Sequence, residues 1–141
     1  MNDCEPRLRA LIRRTLNAHK KELDPKQAFL AAMAAHPRVT KDQKAAAANL
    51  GYKELFDPTI NHACYFLVLV FVIEQNYDTV FSAIFDEDKS TVIAKLKGRF
   101  NRYRQIPAHP IDESAKNWSN EEFEQFRTDM NWLENILADN E

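Results

Sequence analysis

Gly51 and Gly98 are the only glycines in a chain of 141 residues, and no other feature limits the fold as much. Tight β-hairpins use glycine for the left-handed backbone of their turns, so the chain has little material for a sheet protein. Apolar residues recur at spacings of three and four, the period of an α-helix. The expected fold is all-α, an antiparallel helical bundle of about five helices. A chain of this length fits one domain that can bury roughly 68–70% of its unfolded surface. Cys4 and Cys64 are too few and too badly spaced for a disulfide framework or a zinc site. They read as reduced thiols, and the mixed charges of "MNDCEPRLR" lack the apolar stretch of a secretory signal. A cytoplasmic location is expected.

Local signals place the helices. Leu8, Leu11, Ile12, Leu16, His19 and Leu23 lie on one helical face, which predicts a first helix over 5–23. Asp24 and Pro25 restart the chain, and 28–35 continue as a small-residue helix ending near Pro37. Thr40 can cap a helix over 41–50, closed by Gly51 at its C-terminal side. The apolar run "ACYFLVLVFVI", 63–73, falls well short of the ~20 residues of a membrane span. With Asp57 as N-cap and Pro58 in the first turn, it predicts one long buried helix from about Pro58 to Asn76. Residues 77–85 either continue it or form a short helix. "DEDKS", 86–90, reads as a solvated loop with Ser90 as the next N-cap. Ile93, Leu96, Phe100 and Tyr103 mark a helix over 91–106. Ser119 and Glu122 fit a capping box that opens the last helix, with Phe123, Phe126, Met130, Leu133 and Leu137 as its seam.

The chemistry concentrates in "RFNRYRQIPAHPIDE", 99–113. The chain carries a net charge of −2, yet no acidic residue occurs between Lys89 and Ile111. Lys95, Lys97, Arg99, Arg102 and Arg104 crowd one helix. Cations in a last turn also suit the negative end of the helix dipole, so the charges alone do not make a site. Arg104 and His109 would point about 140° apart on an ideal helix. They converge only where Pro107 breaks it.

The pattern "RQIPAHP", 104–110, resembles the Arg-x4-6-His signature of HEPN domains, small all-α bundles of prokaryotic toxins, phage-defence proteins and some eukaryotic proteins. The likeness extends to order and context over about 60–138: a long apolar helix, an acidic loop, a helix with the basic motif, a His-Pro exit and a last amphipathic helix. It implies a HEPN-like bundle over 58–138, with 1–57 as an N-terminal helical extension packed on it. The family more often has asparagine where Gln105 stands, and a proline inside the motif is less usual.

The resemblance implies a metal-independent endoribonuclease, without cofactor, whose site is shared across a homodimer. Arg104 would stabilise the phosphate, since a guanidinium is planar and always charged. His109 would move the proton, and Gln105 would bind phosphate or orient His109. Arg99, Arg102 and Tyr103 would form an RNA track, the arginines on phosphates and the tyrosine by stacking. RNA, a second copy and an antitoxin or other regulatory protein are the implied partners, with no membrane. A catalytically silent module that dimerises or binds nucleotide, RNA or a protein is the alternative. A third reading, a DNA-binding helix-turn-helix in "TKDQKAAAANLGYKELF", 40–56, is weaker because Lys53 is the one basic group of its second helix. His19 reads as a core or interface residue, His36 as a helix-end cation, and His62 as the opening of the central helix. No His-x3-His or similar spacing predicts a metal. Trp118 and Trp132 read as core or interface aromatics.

Overall fold

The computed structural model describes residues 4–104 and 118–141. These form eight distinct helices and no strand, where about five helices were expected. We label them α1 (Cys4–Ala18), α2 (Pro25–Ala35), α3 (Lys41–Ala48), α4 (Tyr52–Leu55), α5 (Phe66–Gln75), α6 (Tyr77–Phe85), α7 (89–103) and α8 (Asn120–Asp139). The all-α bundle stands; the surplus comes from α4, a single turn after α3, and from α6, which a kink at Asn76 separates from α5.

The predicted first helix stops at Ala18, five residues short of Leu23. There His19 Nδ1 lies 3.0 Å from the Thr15 carbonyl, and residues 19–22 continue as looser turns. The predicted helix over 41–50 ends at Ala48 with Asn49 as its C-cap. Gly51 has an ordinary φ of −73° and serves as N-cap of α4, so no left-handed cap forms.

The long central helix also divides. Asp57 accepts from the Thr59 N–H at 2.9 Å and from its hydroxyl at 2.6 Å. Asn61 donates to the Leu55 carbonyl and accepts from the Ala63 N–H. These local bonds offer the backbone an alternative to helix, and α5 begins only at Phe66. At its other end Asn76 donates to the Val72 carbonyl at 2.8 Å, and α6 leaves at 78° to α5. A side chain inserted into the hydrogen-bond ladder is a standard cause of such a kink.

In α7 the N-cap is Asp88 rather than Ser90. Its middle, Lys95–Phe100, widens to π-type i→i+5 bonding before an α-turn resumes at Asn101–Tyr103. Other caps follow the sequence. Asp24 accepts from the Lys26 N–H, and complete capping boxes join Thr40 to Gln43 and Ser119 to Glu122.

One core runs through both halves of the chain. Leu8, Ile12 and Leu16 of α1 and Phe29 and Met33 of α2 pack with Phe66, Leu69 and Ile73 of α5. Phe81, Leu96, Phe100, Leu133 and Leu137 complete it. Six of the ten α5 residues are buried, as its apolar run implies. Among the described residues no single helix is long and apolar enough to cross a membrane.

Candidate functional site

Arg104 closes α7. Its N–H bonds to the Phe100 carbonyl at 3.0 Å, and its side chain leaves the helix toward α1 and α5. The guanidinium lies 5.5 Å from the centre of the Phe66 ring and 3.9 Å from the Glu5 carboxylate. Beside it opens a cleft of about 300 Å³, walled by His36, Pro37 and Arg38 after α2, Tyr65, Phe66 and Leu67 at the start of α5, and Asn101 with Arg104 at the end of α7. None of these eight residues is acidic. Arg38 and Arg104 both line the cleft and no carboxylate does; Glu5, outside the lining, offsets part of the Arg104 charge, and the remaining positive balance favours an anion.

The polar groups of the cleft are mainly donors. His36 is 6% exposed, and its Nδ1 accepts the backbone N–H of Arg38 at 3.0 Å. That nitrogen bears no proton, so the neutral ring carries its hydrogen on Nε2. Burial, and then the nearby charge of Arg38, push the imidazole below its ordinary pKa. The His36 ring rests 5.2 Å from that of Tyr65. The Tyr65 hydroxyl accepts from Gln43 Nε2 at 3.2 Å, which leaves its own hydrogen to donate.

Of the predicted catalytic residues, Gln105 and His109 lie outside the described residues, while Arg104 sits in the cleft. The predicted RNA track turns the other way, toward α8. Arg99 holds Asp129, with Nε and Nη2 each 2.8 Å from a carboxylate oxygen. Tyr103 donates its hydroxyl to the same carboxylate at 2.6 Å, and Gln125 adds a third donor at 2.9 Å. Tyr103 is 4% exposed, its ring packed against Phe100, Trp118 and Phe126. Burial and the Asp129 bond hold its phenol far above the usual value. At this burial the Tyr103 ring packs among core aromatics and its hydroxyl is engaged by Asp129. Arg102 pairs with Glu122 at 2.9 Å and lies over Trp118. The charges of Arg99 and Arg102 are thus answered within the fold.

Sequence reasoning missed His36, Arg38, Tyr65 and Asn101. His36 was read only as a helix-end cation, and nothing local in the sequence joins "HPR", 36–38, to Arg104. The other predicted features fall elsewhere. His19 is half-buried against its own helix, His62 is exposed, and Trp118 and Trp132 pack against core aromatics. The suggested helix-turn-helix has a second helix, α4, of only four residues. A larger concavity of about 420 Å³ lies between α1 and the turn after α4, but Glu54 and Asp57 share its wall with Arg9, Arg13 and Lys53. Burial pushes the Cys64 thiol up to about 11, which keeps it protonated and unreactive near neutrality. Among the described residues no group of three or more His, Cys, Asp or Glu side chains could hold a metal ion. Comparison with protein-family models, curated proteins and solved structures found no match.

Proposed function

We propose that the chain is a metal-independent endoribonuclease of the HEPN type, acting on RNA at the cleft beside Arg104. The observation that supports this most is that Arg104 and Arg38 line one cleft whose lining contains no carboxylate. Two guanidinium groups can hold a phosphodiester and offset the charge that grows on its nonbridging oxygens as the ribose 2′-oxygen attacks phosphorus. The 2′-hydroxyl proton goes to a base, the 5′-oxygen leaves with a proton, and a 2′,3′-cyclic phosphate remains. His109, whose type titrates near neutrality, supplies the proton transfer. His36 is unsuited to that role, because protonating Nδ1 would break its bond to the Arg38 N–H. A second copy of the chain completes the site in a homodimer, and a regulatory protein such as an antitoxin would act by covering it.

The test is cleavage of mixed cellular RNA by purified protein. Wild type is expected to cut with chelator present and to spare a substrate with 2′-deoxyribose at the cut. His109→Ala is expected to lose roughly 10²–10⁴-fold in rate, the usual contribution of general acid–base catalysis. Arg104→Ala should lose activity while its circular dichroism stays that of wild type. Equal cleavage by all three proteins would overturn the assignment. RNA binding without cleavage by wild type would leave a silent binding module instead.

A further inference from the structure

By sequence His36 is a helix-end residue, and in the fold it lines the Arg104 cleft. Its two nitrogens have different tasks. Nδ1 accepts the Arg38 N–H and shapes the His36-Pro37-Arg38 turn that presents Arg38. Nε2 carries the hydrogen and has no hydrogen-bond partner among the described residues. His36 is 6% exposed and lines the cleft, so a ligand held there can meet this donor. Building on the reading of this cleft as an RNA phosphate site, we propose that His36 is a further binding residue, donating Nε2–H to a nonbridging phosphate oxygen as a neutral ring. Arg104 and Arg38 supply the charge, and His36 supplies a directed donor between the α2 exit and the start of α5. The ligand is therefore read by geometry as well as by charge: a phosphate oxygen must meet a fixed N–H that cannot follow it, unlike a guanidinium on a long flexible stem.

Two substitutions separate the tasks of the ring. In His36→Asn the short amide oxygen can accept the Arg38 N–H, as asparagine does in turns, while the donor at the Nε2 position is gone. In His36→Gln the longer amide can reach the Nε2 position while the turn bond is lost. The probe is a fluorescently labelled single-stranded RNA made uncleavable by 2′-O-methyl groups, with affinity read by anisotropy. His36→Asn should melt near wild type and bind about tenfold or more weakly, the size of one lost hydrogen bond to a charged acceptor. His36→Gln should melt lower and yet bind better than the asparagine variant. In ¹⁵N spectra of the histidine ring, RNA should shift Nε2 and leave Nδ1 nearly unmoved. Wild-type affinity in His36→Asn, with binding lost in Arg104→Ala, would refute the role of His36 and leave the cleft standing. Wild-type affinity in both Arg104→Ala and Arg38→Ala, or no binding by wild type, would remove the cleft reading and His36 with it.

Discussion

Asp129 is a carboxylate with 2% of its side chain exposed, and it takes hydrogen bonds from Arg99, Tyr103 and Gln125. An isolated charge at that depth would be strongly unfavourable, so the three donors and the carboxylate depend on one another. Asp129→Ala should lower unfolding stability by about 3 kcal/mol in urea titrations, because it leaves a buried phenol and a guanidinium without their acceptor. A loss below about 1 kcal/mol would show that this network contributes little. His36 sets a second expectation. Its pKa is lowered on folding by burial and by Arg38, so the unfolded chain takes up a proton that the folded chain refuses. Stability attributable to His36 is thus full above the unfolded value, ~6.5, and falls as pH drops below it toward the folded value. Urea midpoints between pH 7.5 and 5 should fall more steeply for wild type than for His36→Asn, and parallel curves would refute this. At this scale Arg104 was legible, since it stands in a basic run three residues before Pro107, a residue type that ends helices. The duties of Arg99 and Tyr103 were not, because their partner, Asp129, lies 30 and 26 residues away in sequence.

The elements whose limits depend on local chemistry were readable. Asp24 with Pro25, Thr40 with Gln43, and Ser119 with Glu122 all cap as their spacing suggests. The Asp57-Pro58 pair has the same letters as Asp24-Pro25 and a different outcome. Asp24 accepts from Lys26, two residues on, inside a helix that continues. Asp57 takes both the N–H and the hydroxyl of Thr59, and Asn61 then ties the chain back to Leu55. Such competition between side chain and ladder is invisible to periodicity, as is the Asn76 kink that separates α5 from α6. Gly98 gives a test of the widened turn in α7. A Cβ built there meets nothing within 4 Å, and its φ is not in the left-handed region. Gly98→Ala should therefore raise stability by about 0.5–1 kcal/mol, through the smaller entropy of the unfolded chain. A lower melting temperature would mean that the π-type turn needs glycine for a reason other than space.

Across the whole molecule, α1 and α2 are built into the same core as α5, and α1 also packs on α8. Arg7 of α1 reaches Glu134 in α8, with Nη1 2.7 Å from Oε2, and Glu141 beyond it. The N-terminal helices therefore do more than cover a bundle from outside. The α2 exit brings His36 and Arg38 into the same cleft as Arg104, so the candidate site draws on the segment that the resemblance implies is an N-terminal extension. This juxtaposition could not be read from the sequence, because it depends on how α2 lies along α5, and the contacts that set it are apolar ones many helices would satisfy. On the proposed function, an RNA phosphate sits in this cleft. A crystal structure with a short RNA carrying 2′-deoxyribose at the scissile position decides this. The expected result is a phosphate between Arg104 and Arg38, with one oxygen at hydrogen-bond distance from His36 Nε2. A phosphate held instead by Arg9, Arg13 and Lys53 in the larger concavity, with the Arg104 cleft empty, would contradict it.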